Sequence, residues 1–187
     1  MPSFTKQAIT DTFLRLLLRK PFRKITVRDI VEECGVNRTI FYYYYQDIYA
    51  IIEDLLAGIL APYAAELLDE GNPDALRDTS DFIRIHRRAL KGLWDGLGQE
   101  EIRRYVMAVL REPIEELVRR LAEGLAVTRE ERVAVSLFVQ EMVLGLLRLY
   151  LFEEVPTGVL LGEAARGGVR LMLENFEKMR KGGGSHE

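Results

Sequence analysis

The stretch from Thr26 to Asp47 constrains this chain more than any other, because it packs the stop and start signals of two helices into a short span. Thr26 is a helix cap, and Asp29 three residues on makes a variant of the capping box, with its charge placed favourably for a helix N-terminus. Val27, Ile30, Val31 and Cys34 then fall at i, i+3, i+4 and i+7, a single apolar stripe. Gly35 permits the left-handed residue that ends a helix, and Asn37, after Val36, is a good cap for the next. The spacing predicts two short helices joined by the turn Gly35-Val36-Asn37. In such a helix-turn-helix the second helix is free to enter a DNA major groove.

The remainder of the sequence reads as helix as well, since no alternating apolar and polar run with turn dipeptides marks a hairpin. A first helix is expected over Phe4–Arg19, with Ile9, Phe13, Leu16 and Leu17 on its core face, stopping before Pro21. Asp47 caps a long helix to about Glu70 that contains Pro62, and Gly71-Asn72-Pro73 breaks it. Further helices are expected from about Ala75 to Leu97, with Gly96 and Gly98 marking the exit, and from Gln99 to Glu123, with Pro113 either kinking it or starting a new segment. Thr128 and Glu131 form a capping box that opens an apolar helix to Glu153, and a last helix follows Pro156 and ends near Lys181. The expected fold is all-α with about nine helices. Residues 1–47 form a three-helix helix-turn-helix domain, 48–181 a second helical domain, and 182–187 a tail with nothing to pack.

Composition narrows the function classes. The 187 residues are 48% hydrophobic and 29% charged, an ordinary globular balance that argues against disorder. One cysteine and two histidines, His86 and His186, argue against a disulfide framework and a zinc or multi-histidine metal site; no cofactor is implied. No nucleophile–base pair stands at a recognisable spacing, so an enzyme is not expected. Residues 1–49 carry eight Lys or Arg against five acids, a net +3, whereas the remainder carries 18 against 24, a net −6. A basic end on an acidic body suits an anionic partner at that end. The N-terminus lacks the order of a secretory signal. Ile48–Ala65 and Val133–Phe152 are apolar enough to need a membrane check. Glu53 and Asp54 stand in the first, and each acid costs roughly 2.5–3.5 kcal/mol at a membrane-helix centre. A soluble cytoplasmic chain with no membrane partner is the expectation.

Helical geometry puts Phe41 and Tyr45 of the third helix beside the Val27/Ile30/Val31 stripe and leaves Arg38, Thr39, Tyr42 and Tyr43 outward, with Ile40 and Tyr44 at the margins. Outward rings leave apolar area in water, worth roughly 25 cal/mol per Å² if buried. A duplex suits this face. Phenolic hydroxyls bond phosphates, Arg38 reaches guanine O6 and N7, and Thr39 and Ile40 meet thymine methyl groups. The alternative is that the tyrosines pack on the following helix or on a partner chain.

From Thr26-Val27 through Asp29-Ile30-Val31, Cys34-Gly35-Val36-Asn37-Arg38, Phe41-Tyr42 and Tyr45 to Asp47, the pattern resembles the DNA-binding signature of TetR/AcrR-family regulators. The resemblance covers roughly Lys6 to Leu56, and its wording is closest to the branch resembling regulators of dihydroxyacetone kinase operons. It implies that Asn37, Arg38 and Thr39 meet base edges or phosphates and that Tyr42, Tyr43 and Tyr44 contact the sugar-phosphate backbone. Thr26 and Ile40 complete the expected DNA-facing set. Two positions depart from the family: Ile48 stands where many members have lysine, and Ile40 where a small residue is usual.

In Val133–Phe152 sixteen positions are apolar or glycine and only Ser136, Gln140, Glu141 and Arg148 are polar, so burial on more than one side is expected. With small residues Ala164, Ala165 and Gly168 in the final helix, it suggests a homodimer through the last two helices, which the resemblance also implies. Two-fold symmetry would set the reading helices about one turn of DNA apart, roughly 34–36 Å, on a near-palindromic operator. The resemblance further implies a small-molecule pocket in the body, with Phe82, His86, Trp94, Tyr105, Glu141, Met142 and Tyr150 as candidate lining. For each of these, ordinary core packing or a surface ion pair is the competing reading. The function expected is a ligand-responsive regulator, a repressor that binds double-stranded DNA and is released by a small-molecule effector. The alternative is a helical protein-interaction module that no longer binds DNA.

Overall fold

Ile9, Phe13, Leu16 and Leu17 return to one face every three or four residues, and all four are buried in the computed structural model, which describes residues 4–67, 73–153 and 163–183. They define α1 (Phe4–Leu17). Pro21 then bars further helix, and a short 3-10 turn over Phe22–Lys24 follows that the periodicity did not suggest. It delivers Phe22 into the core edge-on to Phe13 and to Tyr49, with ring centroids 6.4 and 5.7 Å away.

Helix α2 (Val27–Cys34) opens on the reciprocal box expected of it. The Asp29 N–H donates to Thr26 Oγ1 at 3.2 Å, and the Thr26 N–H donates to Asp29 Oδ2 at 2.7 Å. Ile30 and Val31 are buried, while Val27 and Cys34 at the ends of the stripe are only half-buried, because eight residues make barely two turns. Gly35 closes the helix at φ +74°. Asn37 then caps α3 (Arg38–Tyr44) by accepting the Ile40 N–H at 2.9 Å. Helix α2 packs on both α1 and α3.

Asp47 accepts the Ala50 N–H at the head of α4 (Ile48–Leu67), which continues through Pro62. Its expected end near Glu70 and the Gly71-Asn72 break lie outside the described residues. Helix α5 (Pro73–Leu97) and α6 (Gln99–Leu121) are separated by a single residue, Gly98 at φ +91°, and α6 is continuous through Pro113. Gly96 is not an exit residue as expected but lies inside α5 against the 3-10 turn. A Cβ there would stand 2.7 Å from Phe22 Cβ, and its carbonyl accepts from Arg23 Nε at 3.0 Å. Helix α7 (Arg129–Phe152) opens on the Thr128/Glu131 capping box, and α8 (Glu163–Gly183) packs against it. Pro156 and residues 184–187 of the tail lie outside the described residues, and α8 extends through Gly183, two residues into the segment expected to be tail. Among the described residues the fold is therefore all-α, with eight α-helices and one 3-10 turn against the expected nine.

The contacts group the chain into two compact units, and this grouping is not the linear division at residue 47. One unit comprises residues 1–59 and 78–106, the other 60–77 and 107–187, so the boundary falls inside α4, α5 and α6. In the second unit α7 buries Val135, Val139, Val143, Leu144 and Leu151 while Val133, Leu137, Phe138 and Leu149 stay exposed, Phe138 by 58%. By length and composition alone the stretches Ile48–Ala65 and Arg129–Phe152 are apolar enough to cross a membrane; 44% and 39% of them are buried within the protein.

Candidate nucleic-acid interface

Seven residues make α3 too short to hold itself as a helix, so its position depends on what its inner side grips. Phe41 is fully buried and touches the Tyr42 and Tyr45 rings, with centroids 5.4 and 6.2 Å away. Tyr45, 3% exposed, ends the helix, and its hydroxyl donates to Asp54 Oδ2 of α4 at 3.0 Å. Thr10 Oγ1 of α1 lies 3.1 Å from the same hydroxyl. The other Asp54 oxygen is held by Lys6 Nζ at 2.6 Å. Three helices are thus pinned at one phenol. Burial, and to a smaller degree the Asp54 carboxylate, push that phenol up to about 12, so it stays a neutral donor.

With the inner side fixed, the outer face is set. Arg38, Thr39, Ile40, Tyr42 and Tyr43 are exposed, Tyr43 by 80%, and Tyr44 is half-buried with its ring edge-on to Tyr43 at 4.9 Å. Asn37 is exposed, but its side-chain oxygen is committed to the cap. Thr26 is likewise exposed and engaged in its capping box with Asp29. Ile48, in the position where the resemblance expects lysine, is half-buried at the start of α4.

The basic surplus of this end is mostly spent internally. Arg15 and Arg19 both reach Glu33, Lys20 pairs with Asp29 at 2.5 Å, Arg28 pairs with Glu32 and Lys6 with Asp54. The Lys20 ammonium, followed by the Thr26 hydroxyl and N–H, holds the Asp29 carboxyl down to about 2. Among the described residues Arg23, Lys24 and Arg38 hold no ion pair, and Arg23 donates to the Gly96 carbonyl, which leaves Arg38 as the unengaged guanidinium on the α3 face. An exposed cation flanked by phenols, on a short helix locked from behind, has the donors that phosphates and guanine edges accept.

Residues 9–55 match the sequence family described as "Bacterial regulatory proteins, tetR family". A curated relative, "Uncharacterized HTH-type transcriptional regulator YxbF" of Bacillus subtilis (strain 168), is 30% identical over 69 residues. That alignment spans 37% of this chain and 18% of the relative's length. Among solved structures, "Dihydroxyacetone kinase operon activator DhaS" shares the fold at a TM-score of 0.61 and 13% identity, over 93% of this chain and 98% of that one.

Of the residues expected to line an effector pocket, Phe82, His86, Trp94 and Tyr105 belong to the first unit and Glu141, Met142 and Tyr150 to the second. Phe82 borders a cleft of about 310 Å³ in the first unit together with Lys6, Thr10, Asp54, Leu55, Ile59 and Thr79. His86 stacks on Phe82, with centroids 4.5 Å apart, but does not line that cleft. Trp94 and Tyr105 are buried, Glu141 is exposed, and Met142 and Tyr150 are half-buried; none of these borders that cleft or a second one of about 420 Å³ in the other unit. The Lys6–Asp54–Tyr45–Thr10 cluster escaped the sequence reading. Its one signal in the sequence is Asp54, beside Glu53 on the largely apolar α4, and nothing nearby in sequence names its partners.

Proposed function

We propose that this chain is a DNA-binding transcriptional regulator that reads duplex DNA with α3. The observation that carries this reading is the division of α3 itself: Phe41 and Tyr45 are buried and bonded, while Arg38, Tyr42 and Tyr43 face solvent and Arg38 has no ion-pair partner among the described residues. The tetR-family match over residues 9–55 points the same way. In this reading residues 1–47 bind DNA and 48–181 sense an effector and dimerise. Thr39 and Ile40 join Arg38 at the bases, and Tyr42, Tyr43 and Tyr44 hold the sugar-phosphate backbone. Phe138 and Leu149, exposed on α7, with α8 beside them, meet their equals in a second copy, which pairs two reading helices on a near-palindromic operator in the cytoplasm. The sign proposed is repression, relieved by a small molecule.

The test is fluorescence anisotropy against short duplexes drawn from the region around the chain's own gene. Binding should weaken steeply with salt. Arg38→Ala should cost about 1–3 kcal/mol, roughly 5- to 150-fold in affinity. Salt-insensitive binding, or full affinity in Arg38→Ala and Tyr43→Ala together, would count against DNA reading. A promoter reporter that falls silent when the gene is deleted would replace repression with activation.

A second reading, a protein-interaction module without DNA binding, is favoured by Ile48, which leaves the head of α4 without the cation that many tetR-type regulators have there. A partner bound to the tyrosine face and not displaced by duplex DNA would establish it.

A further inference from the structure

The second unit contains a cleft whose charge runs against its surroundings. It has a volume of about 420 Å³ and lies between α6 and the start of α7. Residues 50–187 are acidic overall, yet this cleft is bordered by Arg111, Arg119, Arg129 and Arg132 and by a single acid, Glu115. Arg119 is spoken for by Glu116 and Glu123, and Arg132 donates to the Val127 carbonyl at 3.2 Å. Arg111 and Arg129 hold no ion pair or hydrogen bond among the described residues.

Two local rules are broken at the same place. Arg129 and Arg132 stand at the positive end of a 24-residue helix, where the backbone dipole opposes cations. Of the two acids in that first turn, Glu131 accepts the Thr128 N–H and pairs with Arg180, and Glu130 does not border the cleft. The same cleft is lined by Ser136 and Gln140, each only 6% exposed, and neither has a hydrogen-bond partner among the described residues. Their polar atoms open on the cleft, where solvent or a ligand can reach them. Unpaired guanidiniums, a helix N-terminus and two largely buried side chains whose polar atoms have no protein partner converge on this cleft. Val118, Val133 and Leu137 supply apolar wall beside them.

We propose that this cleft binds a small amphiphilic oxyanion, a phosphate monoester or carboxylate with a short apolar tail, held by Arg111, Arg129 and Arg132 and oriented by Ser136 and Gln140. As an effector site it rests on the reading of the chain as a ligand-responsive regulator. As a binding site it stands on the geometry alone.

The experiment is calorimetric titration of the full chain with n-hexyl phosphate and with n-hexanoate in phosphate-free, low-salt buffer, with n-hexylammonium as the charge-reversed control. At least one anion should bind saturably, the tighter of the two naming the head group, and hexylammonium should not bind. Arg111→Ala with Arg129→Ala should weaken binding at least tenfold, whereas Arg84→Ala on α5 should leave it unchanged. Gln140→Leu should weaken it at least threefold while leaving the melting temperature of the ligand-free chain essentially unchanged, since the amide has no protein partner to lose. The inference is overturned if neither anion binds, if hexylammonium binds equally, or if the double variant retains full affinity. It is equally overturned if the double variant changes only the oligomeric mass, which would assign the arginines to a contact between copies. Duplex binding is measured separately: anion binding without duplex binding keeps the site and removes the regulator, and the converse removes the site alone.

Discussion

Gly96 and Gly92 sit one helical turn apart on α5, and the same substitution should push their stabilities in opposite directions. Gly→Ala inside a helix ordinarily stabilises by about 0.5–1 kcal/mol, through reduced backbone entropy in the unfolded chain. At Gly92 the new methyl would meet the Leu17 carbonyl oxygen at 3.6 Å, an ordinary contact, so that gain should be kept. At Gly96 it would meet Phe22 Cβ at 2.7 Å, with two ring atoms of Phe22 at 3.5 Å. A Cβ cannot swing away as the tip of a long side chain can, and the Phe22 ring is wedged edge-on between Phe13 and Tyr49. The 3-10 turn must therefore shift, at an overpacking cost of about 1–3 kcal/mol. This outweighs the helix gain, so Gly96→Ala should destabilise by about 1–2 kcal/mol. The two variants should differ by about 2 kcal/mol, some 4–8 °C in melting temperature for a chain of this length. Trp94, the only tryptophan, is buried on the same helix between the two sites and reports urea unfolding by its fluorescence. Equal stability of the two variants would falsify the close approach of α5 to the 3-10 turn.

Other outcomes are equally open to measurement. Tyr45→Phe removes the donor to Asp54 and should cost about 1–2 kcal/mol near neutral pH. Because folding raises this phenol to about 12, the stability gap to wild type should be constant below about pH 10 and close as pH approaches 12; a gap that persists to pH 12 would remove the bond. Folding instead depresses Asp29 to about 2, so its contribution is complete above about pH 4 and is lost as pH falls toward 2. Asp29→Asn should therefore be less stable than wild type by about 1 kcal/mol at pH 6, after allowance for solvent screening, and the difference should vanish near pH 2 in urea melts. Phe138→Glu places a charge on the exposed face of α7 and should give the single-chain mass in sedimentation equilibrium where the wild type gives twice that; an unchanged mass would remove α7 from the proposed interface.

Much of the local structure was legible because its causes are local. Thr26 with Asp29, Asn37 with Ile40, and Thr128 with Glu131 are bonds between residues three apart, so composition and spacing are enough to place them. Gly35 at φ +74° follows from the same kind of reasoning. The orientation of α3 was legible too, since a helix with Phe41 and Tyr45 on one side must turn Arg38 and Tyr42 to another.

What the amino-acid order determined by itself is thus the run of helices, their caps and the two faces of α3, all properties of contacts within a few residues of chain. Tertiary structure decided the rest, because charge and volume are settled by neighbours distant in sequence. It showed the basic surplus largely cancelled by Glu33, Asp29 and Asp54, leaving Arg38 unengaged. It turned Gly96 from an expected helix exit into a contact site, sent Trp94 and Tyr105 to the core, and gathered Arg111 and Arg129 from separate helices around one cleft. No periodicity in one helix carries information about which residues of another will face it.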